Sequence, residues 1–170
     1  PYSSSKSATE IAVASWRRSF FDNDRASIVT ARAGNVIGGG DWATNRIVPD
    51  IVRSIQGQHI LKVRNPASVR PWQHVLEPLF GYIKLAEFSY SNKTASSVGG
   101  LNFGPSDNVV ASVSNLIDKS AEIWGTPVRV QMEDDARHEA AYLMLESSKA
   151  GSLLDWQQKW DFETTVRNTI

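Results

Sequence analysis

Apolar residues recur at three- and four-residue steps in several stretches of the chain, which is the spacing of one helix face. The first such stretch predicts a helix over residues 2–21 with one buried stripe, formed by Ala8, Ile11, Ala12, Trp16 and Phe20. Further helices are predicted over residues 45–56, 77–90, 113–124 and 164–170. Pro49 is expected to interrupt the helix over 45–56 near its start, because proline has no backbone N–H to donate.

Short runs of β-branched and apolar residues alternate with these helices and predict strands. The strands cover residues 27–31, 60–63, 72–75, 101–103 and 128–131, with a short extended piece at 143–145. Three adjacent glycines at 38–40 predict a loop without regular structure over residues 32–42. Residues 91–100 are small and polar, as in a linker. The alternation of helices and strands predicts an α/β fold.

The amino-acid composition of the chain limits which classes of ligand and partner are expected. The chain has 170 residues, of which 41% are hydrophobic and 21% charged, so it can bury a core like an ordinary globular domain. Lys+Arg and Asp+Glu each number 18, so no net field favours nucleic acid or an anionic membrane as a partner. An anionic ligand must therefore be held by a few placed cations.

The chain contains no cysteine, which excludes disulfides, thiolate catalysis and thiolate metal sites. Its histidines, at positions 59, 74 and 138, lack the spacing of metal ligands, so we predict no metal site. His74 lies in an apolar stretch and is interpreted as a structural histidine. No apolar run approaches the roughly 20 residues of a membrane-spanning helix, and residues 1–10 lack the pattern of a secretion signal, so we expect a cytoplasmic protein. Because the chain opens on Pro1 rather than Met, we expect it to be a piece of a longer protein.

Tyr2 and Lys6 are four residues apart at the start of the first helix, so their side chains share one face. The ordinary pKa of tyrosine, about 10, is too high for an efficient base, and a neighbouring ammonium favours the phenolate. The ammonium donors also suit the ribose hydroxyls of a nicotinamide cofactor. Such a pair can take a proton from a sugar hydroxyl while a hydride leaves the same carbon. The same spacing is common by chance, and taken alone it favours a solvated helix start.

The motifs that follow this pair carry a resemblance. Tyr2-Ser-Ser-Ser-Lys6, a strand, and then Arg32-Ala-Gly-Asn-Val-Ile-Gly38 resemble the central segment of extended short-chain dehydrogenases that act on nucleotide sugars. Within that class, CDP-glucose 4,6-dehydratases show the greatest resemblance to this chain. The similar runs lie at residues 34–43, 64–78, 101–105, 138–140 and 148–150. The similarity extends from residue 1 to about residue 169.

The resemblance implies an α/β fold that forms the C-terminal part of an extended short-chain dehydrogenase. Residues 1–35 would end the NAD-binding Rossmann-like domain. Residues 36–170 would form a smaller mixed α/β region that binds the sugar nucleotide, with the strand near 101–103 rejoining the main sheet. Trp42 and Trp72 flank the implied site, where they line the pocket or pack in the core.

The resemblance also implies a role for individual residues. Tyr2 matches the family's catalytic base, and Lys6 matches its partner at the nicotinamide ribose of NAD. Positions that match contacts to the sugar nucleotide are Asn35 at the strand end, Arg46, Arg70 and Asn102 beside the diphosphate, and His138 near the nucleotide end. Each also has an ordinary structural alternative, such as a solvated arginine or an asparagine that caps a turn.

The implied reaction converts CDP-D-glucose to CDP-4-keto-6-deoxy-D-glucose with bound NAD, an entry to deoxysugars of bacterial surface polysaccharide. The glycine-rich cofactor turn and the triad Ser or Thr of relatives have no counterpart here, so we expect the fragment alone to be inactive. A homodimer through the Tyr-x-x-x-Lys helix is implied for the full-length protein. Two alternatives stay open: a dehydratase or epimerase acting on a dTDP-, GDP- or UDP-sugar, and a non-catalytic sugar-nucleotide-binding domain.

Overall fold

The computed structural model describes residues 2–21, 26–92, 95–105, 110–133 and 140–170, with the side chain of Tyr2 left outside the description. The helices are α1 (Tyr2–Phe20), α2 (Ile47–Gly57), α3 (Leu76–Ser91), α4 (Val113–Trp124), α5 (Ser148–Leu154) and α6 (Phe162–Arg167), with a 3-10 turn at Ala95–Val98. Within these described ranges, no helix is long and apolar enough to cross a membrane.

The strands are short and associate in pairs. They are β1 (Ala31–Ala33), β2 (Asn35–Ile37), β3 (Leu61–Val63), β4 (Val69–Arg70), β5 (Trp72–His74), β6 (Leu101–Phe103), β7 (Ala111–Ser112) and β8 (Val130–Met132). Three pairs are parallel, namely β1 with β6, β2 with β5 and β3 with β8, whereas β4 pairs antiparallel with β7. Parallel pairs connected through helices confirm the predicted α/β class.

Two clusters of apolar side chains form the core. The first joins α2, α4 and α6 to β2, β3 and β5, and its centre includes the fully buried Ile51, Leu116 and Val166. The second lies between α3, β6 and α5. In the second cluster, the rings of Phe103 and Trp156 meet edge to face with centroids 5.0 Å apart. Both clusters pack against strands that carry predicted site residues, and so they fix the positions of those strands.

Capping residues define the ends of α4 and α6. Ser112 begins α4 with a capping box, in which its hydroxyl accepts from the backbone N–H of Asn115 and the Asn115 side chain accepts from the backbone N–H of Ser112. Gly125 ends α4 with φ of 75°, a left-handed conformation that glycine adopts without strain. Asp161 caps α6 by accepting from the backbone N–H of Thr164 at 2.8 Å. That bond holds the pKa of Asp161 below its ordinary value.

The predicted first helix is confirmed, but the prediction of a buried stripe on it is wrong. The positions of that stripe are all exposed: Ala8, Ile11 (71%), Ala12, Trp16 (60%) and Phe20 (68%). The periodicity identified an apolar face correctly, and within the described residues that face has no covering element.

The opposite side of α1 attaches to the chain through polar contacts. Thr30 Oγ1 donates to Glu10 Oε2 at 2.9 Å, and Arg32 Nε lies 3.6 Å from Glu10 Oε1. About two turns further along, Arg17 Nη1 donates to the backbone oxygen of Ser96 at 2.7 Å. These polar contacts therefore determine which side of α1 packs against the rest of the described chain.

The strand predicted at 27–31 is displaced in the structure. The backbone N–H of Ile28 donates to the Ser96 hydroxyl at 3.0 Å, and strand pairing begins only at Ala31, which lies opposite Leu101. The prediction of an irregular loop over 32–42 is wrong for residues 32–33, which belong to β1, and for residues 35–37, which form β2. Residues 38–42 contain no helix or strand, as the glycines at 38–40 predict.

Pro49 does not interrupt α2, contrary to expectation. It is the third residue of the helix, and the first backbone bond of α2 runs from Asp50 N to Arg46 O at 3.0 Å. An N–H at the third position would have no partner inside the helix, so proline loses nothing there.

Three smaller differences concern the second half of the chain. Helix α5 was not predicted, and residues 143–145, where an extended piece was expected, contain no strand; an isolated bridge joins Val69 to Tyr142 instead. The linker expected at 91–100 contains the 3-10 turn, in which Ala95 is fully buried. The remaining predicted elements agree with the structure within a few residues. The division into domains at residue 35 stays a prediction.

Candidate functional site

The first strand segment changes partner at Gly34. Before it, β1 pairs with β6, so that Ala33 lies opposite Phe103, and after it β2 pairs with β5, so that Asn35 lies opposite Trp72. A Cβ on Gly34 would lie 2.8 Å from Pro71 Cγ, which is closer than carbon atoms pack. Strands that part at their carboxyl ends create the place where α/β proteins bind ligands.

Asn35 and Arg70 lie next to this change of partner. Asn35 is the half-buried first residue of β2, and Arg70 directly precedes Pro71, the residue that contacts Gly34. Arg70 is only 6% exposed, and its Nη1 donates to the backbone oxygen of Val69 at 2.9 Å. A guanidinium held this deep in a chain of zero net charge is a suitable ligand for an anion.

Asn102 lies on β6, the strand that pairs with β1 just before Gly34. It occupies the middle of β6, opposite Arg32 of β1, and its side-chain amide donates to the backbone oxygen of Glu146 at 3.0 Å. One N–H of this amide therefore donates a hydrogen bond within the fold. The amide also has a second N–H donor and a carbonyl oxygen acceptor, which are groups that suit a polar ligand. Asn35, Arg70 and Asn102 thus lie on strands whose ends meet around Gly34.

Arg46 and Lys6 lie on other elements. Arg46 is exposed and precedes α2 in an extended conformation, with its side chain making no capping bond. Lys6 is exposed on the second turn of α1. Tyr2 is the first residue of α1, one turn before Lys6, and nothing further is described of its side chain. The prediction for His138 falls outside the described residues.

The loop that leads to Arg46 is held by Arg53 of α2. The Arg53 guanidinium donates to the backbone oxygen of Trp42 and to Asp50 Oδ1, the latter at 2.9 Å, and its Cζ lies 5.9 Å from the centre of the Trp42 ring. Trp42 remains 54% exposed at the edge of this loop, whereas Trp72 is buried in the first core cluster and donates to the Ala111 backbone oxygen.

His74 is buried, as its interpretation as a structural histidine requires. Its ring lies against that of Trp160 with centroids 4.7 Å apart, and its Nδ1 accepts from the backbone N–H of Leu76 at 3.3 Å. Among the residues that the structure describes, no group of three or more His, Asp or Glu side chains is arranged to hold a metal.

Sequence reasoning missed the residues that hold the site strands together, Leu145 and Glu146. The available signals were Gly34 and Gly104, each of which directly follows a short strand and leaves space for a neighbour. Glu146 Oε1 also accepts from the backbone N–H of Ser148 at 2.6 Å. Hydrogen bonds from Ser148 hold the pKa of the Glu146 carboxyl below its ordinary value.

Comparison with curated proteins finds a relative that matches along the whole chain. The chain is 42% identical over 176 aligned positions to a CDP-glucose 4,6-dehydratase of Salmonella typhimurium, covering 100% of this chain and 49% of that protein. The chain therefore spans about half the length of the curated relative that it matches.

Solved structures share the fold at lower identity. The crystal structure of a UDP-glucose-4-epimerase from Stenotrophomonas maltophila, with bound NAD, superposes with a TM-score of 0.83 at 20% identity, covering 99% of this chain and 53% of that one. A dTDP-glucose 4,6-dehydratase from Bacillus anthracis in complex with NAD superposes with a TM-score of 0.77 at 16% identity, covering 99% and 50%. At these identities the likeness establishes the α/β fold. A family model described as GDP-mannose 4,6 dehydratase matches residues 1–169, and the chain belongs to that family.

Proposed function

We propose that this chain is the part of a CDP-glucose 4,6-dehydratase that carries the proton-abstraction pair and most of the substrate contacts. The observation that supports this most strongly is 42% identity along the whole chain to an enzyme of that name. The buried Arg70 fits the same function, because its guanidinium suits an anion and the next residue, Pro71, packs against Gly34, which precedes Asn35. The activity of the complete enzyme is part of the proposal, since the chain spans 49% of that relative.

The proposed substrate contacts follow from the chemistry of a sugar nucleotide. Arg70 binds the diphosphate, because a guanidinium fork pairs with two phosphate oxygens at once. Asn102 and Arg46 act beside the same group, and Asn35 binds the sugar nucleotide where β2 begins. His138 acts near the nucleotide end. Few cations carry this binding, because the chain has no net positive charge to add.

The proposed chemistry begins at α1. Tyr2, as phenolate, takes the proton of the C4 hydroxyl, and the Lys6 ammonium one turn away favours that phenolate. The exposed Lys6 side chain, with its three donors, fits the ribose hydroxyls of NAD. NAD, when bound, supplies the acceptor and later the donor of one hydride. Water is lost across C5 and C6 of the sugar, and the product is CDP-4-keto-6-deoxy-D-glucose, a precursor of the deoxysugars of bacterial surface polysaccharide.

The test is turnover by the chain expressed together with any coding sequence upstream of Pro1. CDP-, UDP-, dTDP- and GDP-sugars are each supplied with NAD, and loss of one water is followed by mass spectrometry. We expect the CDP-sugar to be preferred, and a preference for dTDP-glucose would refute the assignment. The 170-residue chain alone is expected to give no turnover, and conversion by it would contradict the need for further parts.

A pair of matched variants tests the substrate contact. Arg70→Lys keeps the charge but loses the two-pronged geometry, so the Kd for CDP-glucose should rise about tenfold. Arg167→Lys is the control, because Arg167 is exposed on α6 and pairs with Glu163 at 2.7 Å. Equal effects of the two substitutions on binding would exclude a specific role for Arg70.

We also propose that the complete protein is a cytoplasmic homodimer in which a second copy packs on α1. Ile11, Trp16 and Phe20 support this, because a helix face with three large exposed apolar side chains is typical of an interface. Light scattering on the complete protein should give the mass of a dimer, and Trp16→Ser should shift it towards the monomer. A monomeric wild type would contradict the proposal and indicate that another part of the same chain covers this face.

A further inference from the structure

Residues 141–147 form a segment without helix or strand, here called the strap, whose first residues pair with Val69 of β4. The backbone N–H of Val69 donates to Ala141 O at 2.8 Å, and the N–H of Leu143 donates to Val69 O at 3.2 Å. Both bonds involve the residue directly before Arg70. The strap is therefore attached at the strand that carries the proposed diphosphate-binding arginine.

The far end of the strap is attached to β6 and the residue that follows it. Asn102 Nδ2 donates to Glu146 O at 3.0 Å, and the backbone N–H of Gly104 donates to Ser147 Oγ at 2.9 Å. These bonds connect positions 43 and 44 residues apart in sequence. The strap thus spans the two strands that hold Arg70 and Asn102.

Leu145 lies between these two attachments and contacts two glycines. A Cβ on Gly104 would lie 2.8 Å from Leu145 Cβ, and a Cβ on Gly34 would lie 3.3 Å from Leu145 Cδ1. The same position at Gly34 is 2.8 Å from Pro71 Cγ. Leu145 therefore occupies a slot formed by Gly34, Pro71 and Gly104. These residues directly precede Asn35, directly follow Arg70, and lie two residues after Asn102.

We propose that Leu145 is a positioning residue that sets the mutual distances of Asn35, Arg70 and Asn102 around the substrate diphosphate. The identity of the ligand in this inference rests on the proposed function, whereas the packing of Leu145 beside Gly34 and Gly104 does not depend on it. Leu145 acts through these residues, because its half-buried side chain packs beside Gly34 and Gly104, which directly follow β1 and β6. Binding groups must be held within a fraction of an ångström, and a displacement of about 1 Å can cost a large factor in activity.

The inference is tested in the complete protein by truncating the side chain. Leu145→Ala should raise the KM for CDP-glucose about tenfold, with a smaller change in kcat, because ground-state contacts are loosened. Leu145→Met nearly conserves the volume and should restore the wild-type KM. Leu153→Ala is the control, since Leu153 is a leucine of the adjacent α5 with a side chain 38% exposed. A KM for Leu145→Ala within about twofold of that for Leu153→Ala would overturn the proposal.

Hydrogen exchange separates this inference from the proposed function. In Leu145→Ala without ligand, the amides of residues 34–35 and 69–70 should exchange faster than in the wild type, and unchanged exchange would overturn the role of the slot. Leu145→Val, a smaller change, serves if the alanine variant does not fold. If the wild type binds no sugar nucleotide, the proposed function fails, while this measurement still decides whether Leu145 positions the strands.

Discussion

Replacing Glu77 with glutamine tests how the segment after α5 is held against α3. Glu77 is 6% exposed in the first turn of α3, and its carboxylate accepts three hydrogen bonds from two backbone N–H groups. The N–H of Trp160 lies 2.9 Å from Oε1, and the N–H of Lys159 lies 3.2 Å from each oxygen. The carboxylate thus satisfies donors that would otherwise be left unpaired beside the core.

The expected cost follows from these contacts. In Glu77→Gln one acceptor oxygen becomes an NH₂ group, so a donor faces a donor, and the remaining bonds lose their charge. Hydrogen bonds to a charged group contribute about 1.5–3 kcal/mol and neutral ones about 0.5–1.5 kcal/mol. We therefore expect a loss of about 2 kcal/mol in the free energy of unfolding. For a domain of this size that loss lowers Tm by roughly 4–8 °C.

Thermal unfolding followed by circular dichroism measures this shift. Glu87→Gln is the matched control, because Glu87 lies on the same helix and is exposed. It removes one negative charge without removing a buried acceptor, so Tm should change by less than about 2 °C. A Glu77→Gln variant as stable as Glu87→Gln would show that the backbone N–H groups of residues 159–160 find other partners, and the reasoning would be refuted.

Three further predictions concern packing, capping and pH. Gly81→Ala should lower the free energy of unfolding by about 2–3 kcal/mol in a urea titration, because its Cβ would lie 2.3 Å from Phe103 Cδ1. Ser112→Ala should lower it by about 1 kcal/mol, because α4 loses its capping box. Glu146 has a lowered pKa because Ser148 donates to it, so its stabilising effect is present above the ordinary carboxyl pKa of about 4.3 and is lost as pH falls through the lower folded value. The Tm difference between wild type and Glu146→Gln should therefore shrink in acid.

Each of these predictions has its own contrary result. Gly39→Ala is the control for packing, because the nearest atom to its Cβ would be the Thr169 backbone oxygen at 3.9 Å, and an equal loss there would contradict the argument. Ser114→Ala, on an exposed residue of the first turn of α4, should leave stability within about 0.5 kcal/mol. A Tm difference for Glu146→Gln that stays constant in acid would exclude titration of Glu146 as its cause.

Periodicity predicted elements more reliably than it predicted their surroundings. The apolar spacing of Leu79, Tyr82 and Ile83 predicted α3 correctly, yet Leu79 and Ile83 are 45% and 67% exposed. The stripe on α1 is the same case, since the pattern identified the helix and its apolar face but not what covers that face. Spacing along a sequence reports which side chains share a face. Which neighbour, if any, buries that face is a property of the whole assembly.

Short strands were harder to place because their ends depend on partners. The run at residues 27–31 has the residue types of a strand, but the register with Leu101–Phe103 begins at Ala31. Helix α5 has only seven residues, too few for periodicity to show. Its start depends on Glu146, and its buried positions, Ala150 and Leu154, depend on contacts in the second core cluster. Local patterns carry no information on such partners.

At the candidate site, the candidate ligand residues were predictable from the sequence, whereas the residues that position them were not. The family resemblance named Asn35, Arg70 and Asn102 as contacts to the sugar nucleotide, which stays a prediction, and the structure places them on strands whose ends meet around Gly34. What holds them together is a segment more than 40 residues from Asn102 in sequence, which no motif named. Its only trace was two glycines after strands, and their missing side chains make room for Leu145. In a candidate site of this kind, motifs name the candidate ligand residues, whereas the residues that pack between the strands are indicated by the space that glycines leave.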